Sequence, residues 1–92
     1  MLLEKFGGGY EHMCPGCNQT HFIAVEKPMS NGSQWTFNGD MEKPTFSPSV
    51  RIRINAVSTV CHYFIRSGKI EFCSDSTHHI AGQSVALPPL PE

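Results

Sequence analysis

From Val50 the chain alternates, with Val50, Ile52 and Ile54 on one side and Arg51 and Arg53 on the other. This period of two marks a strand with one buried face. The same period returns in Val60–Arg66 and Lys69–Ser74, two runs joined by Ser67-Gly68. A two-residue connection of this kind matches the right-handed twist of paired strands. In that register Arg66 faces Lys69, Ile65 faces Ile70, Tyr63 faces Phe72 and Cys61 faces Ser74. Cys61, Tyr63, Ile65, Ile70 and Phe72 then form the apolar face. The opposite face carries His62 across from Cys73, and Phe64 across from Glu71.

The remaining elements are shorter. His21–Glu26 is rich in β-branched and aromatic residues and reads as a strand. Pro28 and Asn31-Gly32 turn the chain, and Gln34–Phe37 is expected to return as its hairpin partner. Asn38-Gly39-Asp40 signals a second turn, and the prolines of Lys43–Pro48 suggest an extended loop. Asp75 or Ser76 is placed to cap one helical turn, Thr77 to Ile80, that Gly82 ends. Ser84–Leu87 is a last strand before a proline-rich tail, 88–92, and Gly7-Gly8-Gly9 closes a flexible lead-in, 1–9, that holds a short strand or coil. The fold class is small all-β, or β-rich with one short helical turn, built from antiparallel hairpins.

Ninety-two residues fill one hydrophobic core, so the expectation is a single domain over 1–92. A domain of this size commonly draws stability from a metal or from disulfides. Seven basic residues are scattered among eight acidic ones. With no basic stripe, the charge pattern argues against phosphate-driven nucleic-acid binding. Met1–Phe6 is broken by charge too early for a signal peptide, and no apolar run reaches membrane-spanning length. A cytoplasmic protein is expected, and in that reducing setting paired cysteines read as metal ligands.

Cys14-Pro15-Gly16-Cys17 sets two thiolates on one tight turn, the knuckle of a tetrahedral zinc site. The same spacing serves redox chemistry when it opens a long helix, but here a strand-like run follows. For the remaining ligands the candidates are Cys61, His62, Cys73, His78, His79 and His21. Neighbouring strand residues point to opposite faces, so Cys61 and His62 do not serve one ion together; the third ligand is one or the other. Cys61 lies on the core face, and the turn after Ser74 can bring His78 back to it. The expected set is Cys14, Cys17, Cys61 and His78 around zinc, stapling the N-terminal knuckle to the C-terminal hairpin.

Several motifs extend beyond the metal's needs. Cys14-Pro15-Gly16-Cys17 with His21, Trp35-x-Phe37-Asn38-Gly39-Asp40, Pro44-Thr45-Phe46-x-Pro48-Ser49, Cys61-His62 and Asp75-x-Thr77-His78-x-x-Ala81-Gly82-Gln83 together resemble a family of short proteins of tailed bacteriophages and prophages. Many members of that family carry a cysteine where this chain has Ser76, and an aliphatic residue where it has Cys73. That comparison favours Cys61, His62 and His78 as the ligand pool. Trp35, Phe37 and Phe46 read as core aromatics, or as the flank of a recognition loop held by prolines.

These features lead to the expectation of a phage or prophage accessory zinc protein in the host cytoplasm, an interaction or inhibitory module with a host or phage protein as its partner. Two alternatives stand beside it. One is a small zinc enzyme with an open metal position, in which His21, His62, Asp75 or His78 handles protons. The other is a nucleic-acid-binding zinc ribbon.

Overall fold

The computed structural model describes residues 1–54 and 59–91, the side chains of Ile54 and Thr59 excepted. Among the described residues, eight strands form two antiparallel sheets. The first sheet holds β1 (Glu4–Phe6), β2 (Gly9–Cys14) and β3 (Gln19–Ala24) in sequence order. The second holds β4 (Thr36–Phe37), β5 (Phe46–Ile54), β6 (Thr59–Arg66), β7 (Lys69–Phe72) and β8 (Ser84–Ala86), also in sequence order. The all-β expectation therefore holds. Where a helical turn was expected, Thr77–Ile80, the chain makes turns with backbone bonds Ala81 N–H to His78 C=O and Gln83 N–H to Ile80 C=O.

The hairpin β6–β7 has the register its alternation predicts: Tyr63 faces Phe72, Ile65 faces Ile70 and Arg66 faces Lys69. Ser67 and Gly68 both take positive φ, 50° and 79°, the pair of left-handed residues that lets a two-residue turn follow strand twist. Tyr63, Ile65, Ile70 and Phe72 are all buried. Along β5 the alternation is equally clean, with Val50 buried, Ile52 half-buried and Arg51 and Arg53 exposed; the side chain of Ile54 lies outside the described residues.

Two expectations change. Gln34–Phe37 does not return as a strand beside His21–Glu26: β3 ends its sheet and, among the described residues, pairs only with β2, from Gly9 opposite Ala24 to Cys14 opposite Gln19. A single backbone bond, Trp35 N–H to Ala24 C=O at 2.8 Å, joins the two segments, and β4 pairs with β5 instead. The glycine-rich lead-in holds β1, where a short strand or coil was expected, and its last residue, Gly9, opens β2. Gly9 is needed for space, since a Cβ there would lie 2.0 Å from the Ile23 carbonyl oxygen.

The proline-rich stretch also runs straight into β5. Phe46 pairs with Ile65 and Val50 with Tyr63, so four residues of β5 span what two residues of β6 span. Ser47-Pro48-Ser49, three residues where β6 has only Phe64, form a bulge, and bulges re-aim side chains and cluster beside active sites. The Ser47–Pro48 peptide bond is cis. Thr36 Oγ1 donates to Ser47 C=O at 3.3 Å, and Trp35 Nε1–H donates to Ser49 C=O at 3.2 Å. Asn38 and Asp40 close the β4–β5 loop by accepting from the backbone N–H groups of Asp40, Thr45, Glu42 and Lys43.

The inner faces of the two sheets share one core, in which Leu3, Cys14 and Ile23 meet Phe46, Val50, Cys61, Tyr63, Ile65, Ile70, Phe72 and Leu87. Among the described residues no helix is long and apolar enough to cross a membrane.

Candidate metal centre and catalytic triad

β6 builds two sites at once, one on each face. Cys61 points inward. Its sulfur lies 3.5 Å from Cys14 Sγ, and the sulfurs of Cys14, Cys17 and Cys61 all lie within 4.8 Å of one another. His78 Nε2 is 3.6 Å from Cys61 Sγ. It also sits directly over the knuckle, since a Cβ on Gly16 would come within 2.4 Å of it. Asn18, at φ 57°, finishes the knuckle turn, and its N–H donates to Cys14 C=O at 2.8 Å.

This donor set fits a cation. A zinc tetrahedron with Zn–S near 2.3 Å and Zn–N near 2.0 Å has S···S edges of about 3.8 Å and S···N edges of about 3.5 Å. The observed 3.5 Å and 3.6 Å lie close to those edges. The charges point the same way. The hydrogen bond from Cys61 pushes the Cys14 thiol down to about 6. That same bond, with burial, pushes Cys61 far up, and burial raises Cys17 to about 11. Without a cation each thiolate thus opposes ionisation of the next; a divalent ion lets all three ionise.

The other cluster of buried polar groups is no part of that set. His21, a candidate ligand by sequence, instead bonds Tyr63 Oη through Nδ1 at 3.0 Å, and His12 Nε2 bonds the same hydroxyl at 2.7 Å. His12 and His21 are pushed down to about 4, first by burial and then by a neighbouring imidazole, His21 for His12 and His78 for His21. His79 is exposed.

His62 points outward, to a different partnership. Its Nδ1 lies 3.0 and 3.1 Å from the two carboxylate oxygens of Asp75, and its Nε2 lies 3.1 Å from Ser49 Oγ. Carboxylate, imidazole and hydroxyl thus form a continuous hydrogen-bonded chain. Ser49 is delivered by the bulge of β5 and His62 by β6. Asp75 comes from a segment docked along β6: Ser76 Oγ accepts from His62 N–H at 3.1 Å and donates to His62 C=O at 2.9 Å. Thr77 N–H donates to Val60 C=O at 2.9 Å, and Thr77 Oγ1 accepts from Val60 N–H at 3.0 Å. Ser76 is buried, while the Asp75 side chain is 55% exposed and that of His62 24%, so the chain of groups opens to solvent.

The order Ser49, His62, Asp75 was present in the sequence, inside motifs that exceed the metal's needs. Reading the proline-rich stretch as a loop concealed it, because nothing local to Ser49 announces that a bulge will aim it at His62. Cys73 lies beside this group: a ring nitrogen of His62, the Cys73 sulfur and an Asp75 oxygen lie within 4.8 Å of one another. Burial, and then the Asp75 charge, raise the Cys73 thiol above its ordinary value.

Fold and site together define a small two-sheet β protein with a Ser-His-Asp constellation on one face of its central hairpin and a cysteine cluster beneath it. The chain belongs to the bacterial ubiquitination-like system serine protease family (BubE), whose family model matches residues 3–73. No curated protein matches the chain. No solved structure matches it either.

Proposed function

We propose that the protein is a small serine peptidase of a bacterial ubiquitination-like system, with Ser49 as nucleophile, His62 as general base and Asp75 as the group that orients the base. One observation carries this reading, the hydrogen-bonded chain Asp75–His62–Ser49. The family description supports it.

The chemistry follows from the geometry. Asp75 accepts from Nδ1–H of His62, which leaves the Nε2 lone pair facing Ser49 Oγ. As Ser49 attacks a carbonyl carbon, its proton passes to Nε2, and the imidazolium is stabilised by the Asp75 carboxylate. The same proton then goes to the leaving group. Water, deprotonated by His62 in turn, hydrolyses the acyl-enzyme. The substrate is a protein, of the host or of a prophage within it, presented to this exposed face.

The metal in this reading is zinc, held by Cys14, Cys17, Cys61 and His78. When bound it supplies a cross-link and no catalytic step, since four protein ligands leave no open position. A reducing compartment such as the cytoplasm keeps Cys14, Cys17 and Cys61 as the thiols this site needs. The triad favours a hydrolase over the binding module that composition and motifs alone suggest.

Labelling with a fluorophosphonate probe tests the proposal. The wild-type protein is expected to gain one covalent adduct at Ser49, by intact mass and peptide mapping, and Ser49→Ala to gain none. Equal labelling of both, or an adduct elsewhere, would overturn the assignment.

A further inference from the structure

The Cys73 thiol takes no part in the triad or in the buried cysteine cluster, and it is absent from the hydrophobic core. Its backbone is engaged, donating through N–H to His62 C=O at 2.8 Å and accepting through C=O from Ser76 N–H at 3.1 Å. Its sulfur nevertheless shares a space of 4.8 Å with a ring nitrogen of His62 and a carboxylate oxygen of Asp75. The nitrogen that faces Asp75 is Nδ1, at 3.0 Å. Imidazole, thiolate and carboxylate are the three donor types that zinc accepts, and three protein donors plus water make a complete tetrahedron.

We propose that His62, Cys73 and Asp75 form a second metal site, which takes a thiophilic divalent cation such as zinc and switches the triad off. This rests on the peptidase reading of the same residues. The cation enters from solvent, since Asp75 and His62 are both partly exposed. On binding, the Cys73 thiol releases its proton to solvent and the sulfur bonds the metal. Asp75 exchanges its hydrogen bond to Nδ1 for a metal–oxygen bond, and a water fills the fourth position.

The consequence lies in the tautomer. In the metal-free site the one imidazole proton sits on Nδ1, and Nε2 is free to accept the proton of Ser49. A cation on Nδ1 leaves Nε2 as the only nitrogen that can carry the proton. Nε2–H then donates to Ser49 Oγ and cannot act as a base. The metal need not touch Ser49 to silence it. The two sites differ in character: the first has Cys14 and Cys61 buried and Cys17 half-buried, and this one is more open, with one thiolate. It is therefore expected to bind more weakly and to respond to free metal.

The test begins with protein that holds one zinc and adds cobalt(II), then zinc. Wild type is expected to take up a second equivalent with a single-thiolate charge-transfer band, and Cys73→Ala and Cys73→Ser are expected to lack that band. Fluorophosphonate labelling of wild type should fall at least about tenfold at saturating zinc and recover on brief chelation, as expected when a base is held in the wrong tautomer. Each Cys73 variant, compared with its own labelling before metal is added to the one-zinc protein, should change less than about twofold on the same grounds. Labelling intact in wild type, but with no second band or with equal suppression in the variants, would overturn the inhibitory site alone. No labelling of wild type before metal is added would overturn the peptidase reading, and the inhibitory role with it.

Discussion

Cys61 and His62 are neighbours in β6, yet Cys61 Sγ lies 3.5 Å from Cys14 Sγ while His62 Nε2 lies 3.1 Å from Ser49 Oγ. The alternation of a strand divides the pair between two groups, a cysteine cluster inside and a hydrogen-bonded Ser-His-Asp chain outside. The segment after β7 repeats the division, with Asp75 at the outer site and His78 at the inner one.

On the proposed reading, that shared construction would tie catalysis to the metal. Zinc would fasten β6 and the segment of Asp75–His78 to the knuckle, so removing it is expected to unseat Asp75 as well as to unfold the domain. Cys14→Ser and Cys17→Ser should lose zinc, measured by elemental analysis, together with cooperative unfolding and Ser49 labelling, because binding energy at such a site is folding energy. Full labelling in a zinc-free, folded variant would break the link.

Asp75→Asn is expected to leave the fold intact, since Asp75 is exposed and the docking bonds belong to Ser76 and Thr77. Its amide can stabilise the wrong imidazole tautomer. The rate of acylation should fall on the order of 10³- to 10⁴-fold, as for a triad that loses its carboxylate. A loss below tenfold would remove Asp75 from the triad.

Gly16→Ala tests His78 without touching a ligand atom. The added Cβ would lie 2.4 Å from Nε2, too close for the ring to stay. Zinc affinity is expected to drop by about 10- to 100-fold, the range seen when ligand support is lost. Competition with a chromophoric chelator measures it, and unchanged affinity would place His78 outside the ligand set.

Tyr63→Phe removes the hydroxyl that both His12 and His21 use. Each buried imidazole then loses its partner at a cost of about 1–3 kcal/mol. Urea denaturation should show a lower midpoint with the slope unchanged; an unaltered midpoint would mean the shared hydroxyl contributes nothing net.

The same pair sets an acid limit. His12 and His21 are neutral in the fold because burial has moved them from 6.5 to about 4. The unfolded chain binds their protons below about 6.5, so their contribution is complete above that pH and declines as pH falls toward 4. At pH 5 the loss is about 2 kcal/mol per histidine. Urea midpoints at pH 7 and pH 5, with zinc content followed alongside, check the sign; a midpoint that rises on acidification refutes it.

How much of this was legible depended on range. Local pattern sufficed for β6–β7, since a period of two and a Ser67-Gly68 turn fix register without help from the rest of the chain. It also separated Cys61 from His62, and it marked Cys14, Cys17 and His78 as ligand candidates. It failed for Gln34–Phe37, because Thr36–Phe37 pairs with β5 and hairpin signals do not say which strand wins.

The sequence by itself determined the alternating faces and the residue types that each face carries. Only the tertiary structure decided that Ser49 belongs with His62 and Asp75. Three short segments, 13 residues apart in each step, meet there because a bulge in β5 turns Ser49 toward β6 and Ser76 docks the Asp75 segment on the same strand. Neither event leaves a periodic trace, since each depends on where a neighbouring backbone already lies.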